Sequence, residues 1–206
     1  MSFGHEGAGY HSAGGFGREA YLHALAQITN IGATREIRFF VEDAYATTDI
    51  HHLSSLDPTT WQAVIAIGDP KTRERIAGMI PAGCEIGHIH HPSKQILCGA
   101  IRTGGGEIIC AGAVITDNVR LGRHVIINLN VTIGHDCTIG DFVTIAPGAN
   151  ISGNVTIGNR CNIGTNAAIR EKVTICDDVV IGMGSVILHD ITEAGVYVGV
   201  PAKRVK

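Results

Sequence analysis

Aromatic side chains are scarce in this chain: 5% of 206 residues, with a single tryptophan. Charge is scarce too, at 17% of residues. The 45% that is hydrophobic is therefore mainly aliphatic. A formal net charge of −3 argues against a nucleic-acid surface, which needs an excess of lysine and arginine. No apolar run approaches the roughly 20 residues that cross a bilayer, so no membrane span is expected. The N-terminus lacks a signal-peptide pattern. Six cysteines occur without one CxxC pair. A reduced protein of the cytoplasm is the economical expectation.

What the chain has in abundance is a repeat. Every sixth residue from Ile109 to Ile187 is isoleucine, with leucine once, at Leu121. A period of six fits neither a helix nor a lone strand. It is the signature of a hexapeptide β-helix, in which one short strand and turn is stacked on copies of itself. Two residues before each anchor from Ile115 onward sits a small or β-branched residue, such as Ala113, Val119, Val131 or Val155. Cys137 and Cys161 take this inward position and pack as small apolar residues. Three hexapeptides make a three-sided coil, so residues eighteen apart stack about 4.8 Å from one another. Ile115, Ile133, Ile151, Ile169 and Ile187 form one such column. The turns are rich in Gly, Asn and Asp, which tolerate positive φ. Each coil is buried only by its neighbours, so the ends need caps.

The first 85 or so residues do not repeat. Residues 17–29 read as an amphipathic helix, residues 36–42 as a buried strand and residues 63–68 as another. Asp69-Pro70 supplies an N-cap and a first-turn proline for a helix to about Ile80. That order suggests a small parallel α/β unit over residues 1–85, followed by the coils and a C-terminal cap over residues 86–206. A nucleotide-binding unit needs an apolar first strand before its glycine turn. The corresponding stretch here, GHEGAGYHSAGG, is polar. The glycine turn itself, Gly15-Phe16-Gly17-Arg18-Glu19-Ala20, fits G-x-G-x-x-A before a helix. It reads equally as a phosphate cradle or as a plain turn and helix start.

The coil core is dry and aliphatic, so chemistry belongs to its corners. The richest corner segment runs from Asn128 to Asp136. His135 lies two residues after an anchor, where it points outward, and a histidine can take and return a proton near neutral pH. Asp136 beside it can orient the ring. Gly153 lies eighteen residues on, in the next coil, with an unobstructed N–H that suits an oxyanion. A solvated turn histidine above a turn glycine is the other reading. His88, His90 and His91 are read as ordinary surface histidines, because alternation sends His91 away from the other two. Lys203, Arg204 and Lys206 form a basic tail.

The repeat, the Asn128…His135-Asp136 segment, Pro147-Gly148, Gly153-Asn154-Val155 and Gly199-Val200-Pro201-Ala202-Lys203 together resemble the hexapeptide acyltransferases. The closest subgroup is the sugar acyltransferases with an N-terminal nucleotide-binding domain. It holds sialic acid O-acetyltransferases and N-acetyltransferases of nucleotide-linked 4-amino-deoxy sugars. Ala13 to Glu19, Glu42-Asp43, residues 66–69 and His91-Pro92-Ser93 fall where that subgroup carries its own motifs.

The resemblance implies a Rossmann-like N-terminal domain, a left-handed coil, a homotrimer, and acetyl-CoA in the groove between adjacent coils with no metal. It implies His135 as the catalytic base, Asp136 as its carboxylate and Gly153 as the oxyanion donor. It places Asn128 near the acceptor and Gly14, Gly15, Phe16, Glu42, Asp43 and Gly68 around the nucleotide sugar. It sets Thr144, Gly153, Thr165, Met183 and Lys203 along the acetyl-CoA. Some relatives carry a second histidine where Thr144 stands here. The expected activity is acetyl-CoA-dependent N-acetylation of a nucleotide-linked 4-amino sugar. O-acetylation of a sugar such as sialic acid is the nearest rival. A zinc carbonic anhydrase on the same coil, or a non-catalytic binding protein, is more remote.

Overall fold

The computed structural model describes residues 15–30, 40–41, 51–97 and 101–206. From Ile89 onward the chain winds as a parallel β-helix with three sheets of eight, six and five strands. The first face carries Ile108–Ile109, Ile126–Ile127, Thr144–Ile145, Asn162–Ile163 and Val179–Ile181. The second carries Val114–Ile115, Thr132–Ile133, Asn150–Ile151, Ala168–Ile169 and Val186–Ile187. The third carries Arg120–Leu121, Thr138–Ile139, Thr156–Ile157 and Thr174–Ile175. Pairing joins residues eighteen apart, as in Ile115, Ile133, Ile151, Ile169 and Ile187. All of these anchors are 2% exposed or less.

The corners explain why the coil turns so regularly. The third residue after each anchor from Ile109 to Ile181 has a positive φ. Asn, Asp and Gly fill many of these positions, but so do His124, Phe142, Arg160 and Lys172. A left-handed non-glycine residue costs roughly 1 kcal/mol or more. The coil offsets this with a backbone bond at each such corner from His124 to Gly184. Asp136 N–H, for example, donates to Asp117 O, and Asn154 N–H donates to His135 O.

The prism begins one coil earlier than the isoleucine pattern. Ile89–His90, Gln95–Ile96 and Arg102–Thr103 pair beneath the first regular coil. The register there is Ile96↔Ile115 but Thr103↔Leu121, so one extra residue lies between the second and third strands. His90 and Thr103 stand at anchor positions where an apolar scan finds nothing. His90 Nε2 lies 3.0 Å from Oε1 of the buried Glu107, a partnership that a surface histidine would lack. His91 Nδ1 accepts from Ser93 N–H and closes the turn at Pro92. At the other end, Gly195–Gly199 and Ala202–Arg204 extend the first face beyond Val179–Ile181.

The N-terminal unit contains helix α1 (Gly15–Asn30) and helix α2 (Pro70–Ala77). Phe40–Val41 pairs in parallel with His51–His52, and Gln62–Ala63 with Glu85–Ile86. The rest of the strand expected over 36–42 lies outside the described residues. Among the described residues the strand expected over 63–68 pairs only at its start. Val64 and Ala66 pack toward α1 and the coil, with Ala20, Ile108 and Ile126. Ala63, Ile65 and Ile67 pack the other way, with Leu53, Leu56 and Ile76. Asp69 caps α2 by accepting from Thr72 N–H at 2.8 Å.

The unit sits on the first face of the prism. Ile108 and Ile126 precede anchors and point outward, yet they are 0% and 1% exposed beneath α1. Arg73 of α2 fastens the other side. Its buried guanidinium donates to the carbonyls of Ile67 and Gly68 within the unit, and to those of His124 and Phe142 and the Thr144 hydroxyl on the coil. Burial pushes the Arg73 pKa down to about 10, so it stays charged at neutral pH. Lys71–Asp178 at 3.4 Å and Glu74–Arg160 at 3.5 Å flank the clamp.

Candidate active site

Each prism edge has its own chemistry. The third edge, between the third and first faces, is a ladder of capped amides. Arg123, Asp141 and Asn159 donate their N–H groups to Asp141 Oδ1, Asn159 Oδ1 and Asp177 Oδ1 of the coil above. Those N–H groups are spent on structure.

The second edge, between the second and third faces, carries His135, Asp136 and Gly153. His135 Nδ1 lies 2.8 Å from Asp136 Oδ2, and both side chains are largely exposed. Hydrogen bonds from Asn118 and then His135 hold the Asp136 carboxyl below its ordinary range. An ionised carboxylate only accepts, so Nδ1 carries a proton, and in the neutral ring Nε2 holds the lone pair. That atom lies over the next coil. A Cβ placed on Gly153 would fall 2.7 Å from His135 Nε2. A side chain at 153 would crowd that ring, because the ring occupies the space a Cβ would take. The ladder of the third edge has no counterpart here. The residue above Gly153 is Glu171, and its carboxylate lies 3.7 Å from Arg170 Nε. Among the described residues nothing caps the Gly153 N–H. The edge thus presents an open proton acceptor beside a free amide donor, the pair that acyl transfer to a nucleophile requires.

The remaining candidates are dispersed. Asn128 stands on the first edge, between the first and second faces, with Oδ1 accepting from Leu129 N–H at 2.7 Å. Thr165 and Met183 occupy the same edge in higher coils, and Met183 is 81% exposed. Lys203 is exposed in the last strand. Gly15 and Phe16 begin α1 above the first face, and Phe16 packs toward Ile108 and Ile126. Gly14, Glu42 and Asp43 lie outside the described residues. Thr144 is an outward residue of the covered first face. It is 7% exposed, and its hydroxyl donates to Gly68 O at 2.7 Å and accepts from Arg73. In this chain, then, Thr144 and Gly68 meet in the clamp between the two units. His135, Asp136 and Gly153 meet on the second edge. Asn128, Thr165 and Met183 belong to the first edge.

Two residues escape a reading of motifs alone. Arg73 looks like any surface arginine in a polar helix. Asn118 lies eighteen residues before Asp136, and that spacing was the available signal. Among the described residues no group of three or more His, Cys, Asp or Glu is arranged to hold a metal ion. His124 is buried on the third edge, stacked on Phe142 at 5.3 Å, away from His135.

A parallel prism of hexapeptides with an exposed histidine beside a free amide on one edge suits acyl transfer, and comparison with known proteins agrees. The family described as bacterial transferase hexapeptide (six repeats) matches residues 136–171 and 154–189. The GDP-perosamine N-acetyltransferase of Escherichia coli O157:H7 is 29% identical over 150 residues, 68% of this chain and 67% of that protein. The acetyltransferase domain of PglB from Neisseria gonorrhoeae FA1090 superposes with a TM-score of 0.83 at 30% identity, covering 94% of this chain and 97% of that one. The same domain in complex with acetyl coenzyme A gives 0.81 at 31% identity, covering 93% and 95%. PerB from Caulobacter crescentus, in complex with CoA and GDP-perosamine, gives 0.81 at 25% identity, covering 94% of each chain. The chain belongs to the hexapeptide-repeat sugar acyltransferases, and it is an enzyme.

Proposed function

We propose that this enzyme transfers an acetyl group from acetyl-CoA to the 4-amino group of a nucleotide-linked amino-deoxy sugar, with His135 as general base. The observation that carries the proposal is the second edge, where His135 Nε2 faces the side-chain-free Gly153 while Nδ1 is tied to Asp136. The relative named for GDP-perosamine and the PerB complex support a nucleotide-linked amine as acceptor. The PglB domain bound to acetyl coenzyme A supports the donor.

The residues divide the work as follows. His135 Nε2 takes the proton lost by the attacking amine, and Asp136 stabilises the imidazolium that forms. The Gly153 N–H faces the oxygen that becomes negative as the thioester carbonyl is attacked; as the tetrahedral centre collapses the C–S bond breaks, and CoA leaves as the thiol with the proton that His135 returns. A thioester is already activated, so one base, one amide donor and correct placement suffice. The N-terminal unit, read as Rossmann-like, holds the nucleotide near Gly15 and Gly68.

The reading requires more than one chain. The N-terminal unit covers the first face and reaches the third edge of its own prism. His135 stands on the second edge, opposite the first face. A sugar held by the unit meets the His135 of a neighbouring chain, which fits a homotrimer of left-handed coils.

The test is a thiol-release assay over a panel of nucleotide-linked 4-amino sugars and free sialic acid, run on wild type and His135→Ala. Turnover is expected with an amino sugar nucleotide, falling at least about 10²-fold in the variant while sedimentation stays unchanged. Near-normal turnover in His135→Ala removes His135 as the base. Turnover with sialic acid alone replaces N-acetylation by O-acetylation.

A further inference from the structure

The His135–Asp136 pair stands on an exposed edge, where an aspartate carboxylate would ordinarily rotate and hydrate. Here it is held from below. Asn118 lies one coil beneath Asp136, and its Nδ2–H donates to Asp136 Oδ1 at 2.7 Å. The other carboxylate oxygen, Oδ2, accepts from His135 Nδ1 at 2.8 Å. Each oxygen thus accepts from a different residue. The backbone is held by the same coil, since Asp136 N–H donates to Asp117 O at 3.0 Å. Asn118 and Asp136 both adopt the left-handed turn conformation, with φ of 52° and 59°. That conformation places their side chains one above the other.

The type of donor matters. On the third edge the matching pair of stacked turn residues is Arg160 and Asp178, joined through Arg160 Nη2 and Asp178 Oδ2 at 2.8 Å. There a cation neutralises the aspartate. On the second edge a neutral amide does the holding, so Asp136 keeps its full negative charge for the imidazolium. An amide thus orients the carboxylate and keeps it ionised without pairing it to a second cation.

We propose that Asn118 is a positioning residue for catalysis, acting through Asp136 to fix the ring of His135 over Gly153. The proposal rests on His135 being the base. Asn118 hydrogen-bonds to the carboxylate rather than to the ring, so its effect passes through the carboxylate.

The test is a double-mutant cycle on the full chain. Asn118→Gly deletes the amide and still permits the positive φ, and Asp136→Gly does the same for the carboxylate. Asn118→Gly is expected to lower kcat about 3- to 10-fold in the wild-type background and less than about twofold in the Asp136→Gly background. The KM for acetyl-CoA is expected to stay unchanged. Asn118→Asp, which aims a second carboxylate at the first, is expected to lose at least as much activity. An Asn118→Gly variant as active as wild type overturns the proposal. So does an equal loss in both backgrounds, which would mark a role in the fold alone. His135→Ala is assayed alongside. If it retains activity, the base assignment itself falls. If it is inactive while the Asn118 effect is additive, only the positioning role falls.

Discussion

Gly153 lacks a side chain because the imidazole of His135 already fills that space. Its backbone does not need glycine, since its φ is outside the left-handed region that marks Gly112 or Gly148. Alanine at 153 therefore fits the coil, and the crowding falls on the ring. His135 is exposed, with 62% of its side chain accessible, and it can swing aside. Gly153→Ala should leave the melting temperature close to wild type and lower kcat/KM at least about 10²-fold, as misplaced catalytic groups do. Thermal melts and the thiol-release assay on the same sample check both halves. The eighteen-residue spacing of His135 and Gly153 was legible because one coil is eighteen residues long. Asn118 and Asp136 share that spacing, but an asparagine in a turn is unremarkable until its amide is seen on the carboxylate.

At the scale of elements, α2 depends on one side chain. Its N-cap Asp69 and first-turn Pro70 are local features that the sequence declares. Its anchor to the coil is not local, because Arg73 donates to residues 51, 69 and 71 positions away in sequence. Arg73→Met keeps the bulk and leaves the carbonyls of His124 and Phe142 without their donor. The attachment of the N-terminal unit should weaken by about 3 kcal/mol or more. Limited proteolysis is expected to cut before residue 89 in the variant and to spare the coils. Equal resistance in wild type and variant would show that the apolar contact of α1 with Ile108 and Ile126 suffices alone. That contact had a signal in the chain. Ile108 and Ile126 are apolar at outward positions, where the third face carries threonine or arginine. The first coil had none, since His90 and Thr103 are polar anchors and an extra residue shifts the count.

For the whole molecule, two sets of groups govern stability in acid. His124 is buried, and desolvation first, then the charge of Arg73, hold its pKa below the ordinary 6.5. The unfolded chain binds that proton more readily, so the folded state loses stability as pH falls below about 6.5 toward the lowered value. The carboxyls form the second set. The Arg160 hydrogen bond lowers the pKa of Asp178. Burial opposes the charge of Asp141, but the N–H and guanidinium of Arg123 outweigh it. Their contribution is present above about pH 4 and disappears below it. Melting temperature should therefore fall in two stages on acidification, with a limiting slope near 1.4 kcal/mol per pH unit for each proton taken up. His124→Phe keeps the stacking on Phe142 and should abolish the first stage only. An unchanged profile between pH 7 and 5 in that variant would reassign the first stage to another histidine.

The chain alone determined the prism, because identical spacing forces each hexapeptide to bury its anchor against copies of itself. It determined that His135 and Gly153 share an edge, since they lie eighteen residues apart, one full coil. It did not determine the use of Thr144, whose partners Gly68 and Arg73 come from a separate unit. Nor did it separate the corner amides capped by a side chain of the next coil from those that no described residue caps, as on Gly153. Those outcomes depend on which side chains from distant parts of the chain meet at a coil surface. A period of six carries no record of that meeting, and only packing in three dimensions supplies it.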